Sequence, residues 1–427
     1  MKSNLNILID NSSYDLLNSG DIAMAKVCIE RLQKNAPNAS LKMITQANDI
    51  LTYISPIAQP VNLFIKRKAW SQKRNIFGPI YKLIPRVFHP NLERVENNIR
   101  LTYPKLMTRW MYHRLRKNPK NAELIKQYIQ HIDEADVAVA SGGGFMTDAF
   151  EDHAINILEL LYLVKRQGKP VAMFGQGVGP VTSPKLLATM KKVLPTLDMI
   201  CIRESISGLQ LLLDLGVSKE RIVITGDDAI ELSKAARKTA LGNKLGFNVR
   251  VANYANIDIT QDKSVGNIIN DFSSSHNTSS IAIPISWYPH EKDLEKINEI
   301  LNIANHNEQL SFQNIEGLMR QVAECRLIVT GSYHAGVFAL SQGIPVIGLA
   351  RSQYYVDKFN GLSGMFPSGV QVICLDKSSW QADLKEALRY AWDNADALRE
   401  NLISLADNQI ELSKKAYSDF FKLINNQ

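Results

Sequence analysis

The run LIVTGSYHAGVFALSQGIPVIGL, residues 327–349, constrains the fold of this 427-residue chain more than any other. An apolar stretch at 327–330 stops at Gly331, a helical pattern follows, and a second apolar stretch fills 346–349. Two buried strands separated by a helix pair in parallel, because an antiparallel pair needs only a short turn. Parallel sheets in turn need helices over both faces. His334, the one side chain in the run that titrates near neutrality, falls where the helix begins. Helix N-termini carry unpaired N–H groups and a partial positive charge, so they attract anions and disfavour an imidazolium. His334 is therefore expected to be neutral in an empty site and to gain a proton beside a bound phosphate or carboxylate. A turn histidine with no chemical duty is the plainer alternative.

The same alternation recurs along the chain. Short apolar runs at 6–9, 41–44, 137–140, 171–174, 199–202 and 222–224 are separated by helical patterns at 21–34, 153–167, 184–194 and 205–215. A polar stretch at 232–245 intervenes, and strand patterns resume at 247–251, 281–285, 327–330, 346–349 and 370–374. The expected architecture is α/β, with two doubly wound Rossmann-like domains facing a cleft, residues 1–235 and 245–380, and a helical segment at 381–427. The opening MKSNLNILID suits a first strand and not a signal peptide, and no apolar run approaches the ~20 residues of a bilayer span. Cys28, Cys201, Cys325 and Cys374 are scattered without metal-ligand spacing. They read as buried thiols of a reducing, cytoplasmic compartment, not as disulfides or a structural zinc site.

The overall charge of +7 is uneven. Residues 61–120 hold 15 Lys or Arg against Glu93 and Glu96, a net +13, which leaves −6 for the rest of the chain. Eight aromatics, from Phe64 to Tyr112, are interleaved with those bases. A basic helical insertion in the first domain, residues 61–130, is expected to project from it. Its mixture of bases and rings suits an anionic membrane surface, at ~1 kcal/mol per base near the lipid. A solvated basic subdomain, or arginines that hold an acidic substrate, is the alternative. Nucleic acid is not an expected partner, since no binding module accompanies the charge.

In doubly wound sheets ligands gather at the carboxyl ends of the strands. Asn18, Gly20 and Asp21 follow the first strand, with Asp21 placed as the N-cap of the next helix and Gly20 allowing close backbone approach. Ser141, Gly142, Gly143 and Gly144 come directly after 137–140, and Asp148 lies four residues beyond. Three successive glycines let a ligand touch bare backbone. GQGVGP at 175–180, with Gly177 inside it, is a second glycine-rich exit. Neither has the GxGxxG spacing of a dinucleotide site, so no nicotinamide cofactor is expected. Arg203 ends the run 199–202 and can clamp a phosphate or carboxylate in bidentate fashion, or pair with Glu204. Arg250, read as lying inside the first strand of the second half, either points into the cleft or supports packing. Asp227 and Asp228 resemble a paired carboxylate, though a helix cap with a solvated neighbour accounts for them equally. With no HExxH, Walker loop or flanked DxD, neither a metal nor any other cofactor is expected.

In this order, NSGDIAM, VAVASGGGFMTD, FGQGVGP, ICIRESIS, ITGDDAI and VTGSYHAGVFALSQGIPVIGL, with Lys358 downstream, resemble the polysaccharide pyruvyl transferase family. The resemblance covers most of the chain apart from 65–120. It implies a two-domain fold like that of the GT-B glycosyltransferases, and transfer of the enolpyruvyl unit of phosphoenolpyruvate onto a sugar as a ketal with release of phosphate. It further implies His334 as the catalytic histidine, Arg203 as the arginine at its strand end, Asp148 as the acidic residue after the glycine-rich loop, and Lys358 as the lysine beyond the histidine motif. Members commonly carry Arg-Tyr-His where this chain has Ser332-Tyr333-His334. The donor's charge then falls to Arg203, Arg250, Arg351 or Lys358, or the donor is another phosphorylated compound. The expected acceptor is a sugar of a cell-surface polysaccharide or its lipid-linked oligosaccharide precursor, met at the inner face of the membrane by a peripherally bound enzyme, with Asp148 or Asp21 as base. A GT-B glycosyltransferase using a nucleotide sugar and a non-catalytic member of a polysaccharide assembly complex are the rival readings.

Overall fold

A computed structural model describes residues 4–71, 76–78, 80–115, 118–206, 208–250, 259–302, 311 and 314–425, without the side chains of 259–262. Its first sheet has eight strands: β1 (Asn6–Asp10), β2 (Ser40–Ile44), β3 (Ala58–Val61), β4 (Val137–Ala140), β5 (Gly143–Met146), β6 (Val171–Val178), β7 (Met199–Ile202) and β8 (Ile222–Ile224). They run in the order β3-β2-β1-β4-β6-β7-β8, with β5 paired to β6 off this path. The second sheet has β9 (Lys244–Asn248), β10 (Ser280–Ala282), β11 (Cys325–Thr330), β12 (Val346–Ala350) and β13 (Val370–Cys374), in the order β10-β9-β11-β12-β13. All these pairings are parallel. The winding reverses between β1 and β4 in the first sheet and between β9 and β11 in the second. Crevices for ligands open at such switch points.

Differences from the sequence pattern have local causes. β3, with the sequence AQPV, has no apolar signature, and its Pro60 is tolerated because the strand is the sheet's edge. β5, GGFM, is formed by glycines that the sequence suggests as a loop. β9 starts inside the polar stretch 232–245, because Lys244 and Gly246 pair with β11 despite their polarity or small size. Arg250 therefore lies beyond the strand and not inside it.

The basic insertion folds as helices Phe64–Ser71, His89–Thr102, Pro104–Arg114 and Pro119–Glu134. It is more integrated than a mere projection, since Trp70, Leu101, Met111, Ile125 and Tyr128 join the core beneath the first sheet. Several of its bases are structural. Arg67 bonds Asp10 at 2.6 Å and also reaches the Tyr14 hydroxyl, Arg100 donates to the Trp70 carbonyl, and Arg114 to that of Ile76.

The 46-residue helix Trp380–Asn425, about 70 Å long at 1.5 Å per residue, joins the two halves. Leu384 and Leu388 pack under the second sheet, whereas Tyr417 stacks on Phe174 of β6 with ring centroids 3.7 Å apart. Buried Asp228 accepts bonds from Arg31, Ser413 and Tyr417, which ties that helix to the first sheet. A second link runs through the backbone, from Ser19 N to Ile285 O at 2.9 Å and from Trp287 N to Leu17 O at 2.8 Å. No described helix is long and apolar enough to cross a membrane.

Candidate active site

The helix Ser19–Asn35 begins just after β1, and the helix Tyr333–Leu340 begins just after β11. Their N-termini meet across the cleft. Gly20 lies against the imidazole so closely that a Cβ there would overlap Nδ1, Cγ and Cε1 of His334. Asn18 and not Asp21 caps the first helix, its Oδ1 accepting from Gly20 N at 3.0 Å and Asp21 N at 3.4 Å. That leaves the Asp21 carboxyl on the first turn, available to the cleft. Ser332 occupies the N-cap of the second helix, but its side chain makes no capping bond.

From β7, Arg203 reaches over the glycine-rich strands. Its Nη2 occupies the space where a Cβ of Gly177 would be, and it would lie 3.0 Å from a Cβ of Gly144. These two glycines are therefore needed for close approach. Gly143 has a different duty, since its missing Cβ makes room for the Phe145 ring and Ser12. Buried Asp227 accepts from Arg203 Nη1 at 2.9 Å and lies 3.8 Å from Nε2 of His334. The face of Tyr333 lies 4.5 Å from the same guanidinium. Lys358, on the helix Gln353–Met365, would be 3.7 Å from a Cβ on Gly144, and its ammonium lies 4.3 Å from the Tyr354 ring centre. The cleft beside these groups is lined by Gly144, Gly177, Arg203, Tyr333, Tyr354 and Lys358. Arg250 stands in the adjoining depression with Arg351 and Tyr355, and bonds Glu291 at 2.8 Å.

The electrostatics follow from this crowding. Burial, then the positive charges of Arg203, Lys358 and Arg250, hold His334 well below the usual imidazole range. The neutral form expected from the helix end is thus correct in direction, with desolvation and cations as the causes. Its Nε2 is buried and makes no hydrogen bond within the protein, lying 3.8 Å from the Asp227 carboxylate. Burial and the same two arginines bring Lys358 down to about 7. Burial raises the Asp21 carboxyl, against the opposing pull of a Ser12 hydrogen bond and of Arg250, Arg203 and Lys358.

The structure thus brings Gly20, Asp21, Gly144, Gly177, Arg203, Lys358 and His334 around one opening, with Arg250 beside it. Asp148 is engaged elsewhere. Its carboxylate is exposed and accepts from Thr182 N, Thr182 Oγ1 and Ser183 N. Those bonds outweigh its slight desolvation and lower its proton affinity, which suits a turn-stabilising acid more than a base. The Asp227–Asp228 pair is not a carboxylate dyad; Asp227 does cap the helix Ala229–Lys234, its Oδ1 accepting from Ala229 N at 2.9 Å, but its neighbour Asp228 is not solvated. Both residues are buried and face opposite ways, one to Arg203 and one to the last helix. Tyr333 and Tyr354 are absent from the sequence expectation. Tyr354 was legible in principle, since it precedes Lys358 by four residues, the spacing of neighbours on a helix. Among the described residues, no group of three or more His, Cys, Asp and Glu side chains is placed to hold a metal ion.

Solved structures of similar fold include the UDP-GlcNAc 2-epimerase of Methanocaldococcus jannaschii, at 12% identity and TM-score 0.56 over 99% of this chain and 100% of that one. The UDP-GlcNAc 2-epimerase of Neisseria meningitidis bound to UDP-GlcNAc is similar, at 14% identity and TM-score 0.54 over 99% and 100%. So is the glycosyltransferase of kitacinnamycin, at 10% identity and TM-score 0.54 over 99% and 98%. At such identities the likeness shows the fold alone, the two-domain GT-B arrangement. No curated protein matches the sequence. A family model described as polysaccharide pyruvyl transferase, however, matches residues 18–353, well over half of the chain, a span that holds Gly20, Asp21, Gly144, Gly177, Arg203 and His334 but ends before Tyr354 and Lys358. The chain belongs to the polysaccharide pyruvyl transferase family and is a transferase.

Proposed function

We propose that this protein transfers the enolpyruvyl unit of phosphoenolpyruvate to two hydroxyls of one sugar as a ketal. The acceptor is a sugar of a cell-surface polysaccharide or its lipid-linked precursor, met at the cytoplasmic face of the membrane. The observation that carries this reading is the convergence of Arg203, Lys358 and a buried His334, whose Nε2 makes no hydrogen bond within the protein, on one opening between two helix N-termini. Residues 1–235 supply Gly20, Asp21, Gly144 and Arg203, and residues 245–380 supply Arg250, His334 and Lys358.

The phosphate and carboxylate of the donor offset the cations that depress His334. Once the donor is bound, the imidazole gains a proton and delivers it to the methylene carbon. The carbon that bears phosphate becomes an oxocarbenium centre. One sugar hydroxyl adds there and phosphate departs; the second hydroxyl then closes the ketal. The methylene becomes a methyl, the two hydroxyl protons are released, and one is carried off on phosphate. Arg203 and Lys358 stabilise the departing phosphate. Asp21, whose affinity for a proton is raised, serves as base in place of Asp148. Ser332 has no charge to offer the donor, so Lys358, and Arg250 beside it, take over that duty.

The test is incubation with phosphoenolpyruvate and candidate acceptor sugars, reading phosphate release and the ketal methyl by NMR. Acceptor-dependent phosphate release with ketal formation is expected. Calorimetric binding of a UDP-sugar, with no response to phosphoenolpyruvate, favours the rival reading of a glycosyltransferase that uses a nucleotide sugar.

A further inference from the structure

Most of the basic insertion is anchored in the first domain, yet two of its pieces present apolar side chains to solvent. In the turns at 80–88, Ile80, Leu83, Val87 and Phe88 are exposed, with Leu83 at 84% and Val87 at 75%. Around the helix Pro104–Arg114, Tyr103, Leu106, Trp110 and Tyr112 are exposed, and the first three recur at the spacing of one helix face. Isolated exposed apolar residues are ordinary, but two such groups, one on either side of the helix His89–Thr102, are not. Lys82, Arg86, Arg94, Lys105 and Arg109 are exposed among them. Against these five exposed bases the segment sets only two acids. Glu96 is buried and accepts from Ile76 N and Tyr81 OH, and Glu93 is only partly exposed.

We propose that these turns and this helix form a membrane-docking surface that inserts Leu83, Val87, Phe88, Leu106 and Trp110 shallowly among anionic lipids. This rests on the proposed lipid-linked acceptor, for which it supplies the means of approach. A protein partner would have to bury the same residues in matching hollows. A lipid surface accepts protruding chains of any shape, with tyrosine and tryptophan favoured at the headgroup level. The bases select negative headgroups, because each contributes attraction near the surface and long side chains reach the phosphates. The structural duties of Arg67, Arg100 and Arg114 mean that the attraction comes from the exposed bases and not from the whole +13 of the segment.

The test is flotation of the full chain with phosphatidylcholine vesicles, with and without phosphatidylglycerol. Binding at least about tenfold tighter to the anionic vesicles is expected, declining as salt rises. The triple variant Leu83→Ser, Val87→Ser, Phe88→Ser and the double variant Leu106→Ser, Trp110→Ser should each weaken binding by about tenfold or more while circular dichroism is unchanged. Lys82→Glu with Arg86→Glu should abolish the preference for phosphatidylglycerol. No binding, equal binding to both vesicles, or full binding by the apolar variants overturns the proposal. Transfer to a soluble sugar acceptor, measured in parallel, separates the two readings: vesicle binding without pyruvyl transfer refutes the reaction and leaves the docking surface standing, and the converse refutes the surface alone.

Discussion

Gly20 and His334 interlock: the bare Cα at the start of one helix leaves the space that the imidazole at the start of another occupies. The contact joins the two sheets at the switch points of both, so the position of the histidine depends on a residue over 300 positions away in the chain. Replacing Gly20 by Ala should push the ring aside. A misplacement of about 1 Å at a reacting group lowers turnover by about a hundredfold. We expect kcat/KM for ketal formation to drop by at least roughly that factor, and Tm to fall as well, because the overlap reaches the ring's Cγ and overpacking a buried site costs about 1–3 kcal/mol. Near-normal turnover in Gly20→Ala would show that the imidazole need not stand where it does.

His334 itself contributes little to stability. It sits at a helix start with its Nε2 buried and unbonded. Substitution by Asn should reduce transfer by about 10²–10⁴-fold, the range of a lost general acid. Thermal unfolding should change Tm little, because the amide keeps a polar group at the same helix start and His334 Nε2 makes no hydrogen bond to lose. A large loss of Tm together with retained activity would restore the structural reading of this histidine.

Arg203 and Asp227 form a buried pair at 2.9 Å, with side chains 6% and 0% exposed. Removing one partner from such a pair leaves a charge without compensation and costs about 3–5 kcal/mol. Asp227→Ala should therefore destabilise the protein by about that much in urea titrations. Arg203→Lys keeps the charge but not the planar fork, so it should spare most of the stability and raise the KM for the anionic donor. If Asp227→Ala is tolerated with no loss of midpoint, the pair is not a structural support for the arginine.

Much of this was legible in the sequence because apolar runs mark parallel strands whatever surrounds them. β4, β7, β8 and β13 begin and end where the pattern places them. The edge strand β3 and the glycine strand β5 were not, since pairing with a neighbour, and not composition, makes them strands. Within the site, His334 and Arg203 stand out as ionisable groups just beyond strand ends, a position the fold itself turns into a cleft. The split duties of Asp227 and Asp228 could not be read from adjacent letters. They depend on the helix Trp380–Asn425 returning to the first domain, a contact between residues 185 or more positions apart. Likewise, charge counting overstated the basic face, because a sequence does not show that Arg67 is spent on Asp10.

Lys358 gives the most specific expectation about pH. Its amine is brought from the usual lysine range to about 7 by burial first, then by Arg203 and Arg250, with Asp21 opposing. Between about pH 7 and 10 the folded protein then binds fewer protons at this position than the unfolded chain does. This group's contribution to stability therefore rises with pH across that window, and its penalty is greatest below it. A phosphorylated donor reverses the imbalance, because its negative charge favours the ammonium. At about pH 8, where Lys358 is mostly neutral in the free protein, binding of phosphoenolpyruvate should take up a fraction of a proton approaching one. Calorimetry in two buffers of different ionisation enthalpy measures that number directly. Lys358→Met should abolish the uptake at this pH and weaken donor binding. His334, held well below the usual imidazole range, should add its own uptake as the pH falls, and turnover should rise with it, because the charged, donor-bound imidazole is the form that delivers the proton. Binding with no proton uptake at about pH 8, or uptake that survives in Lys358→Met, would place the donor away from this lysine.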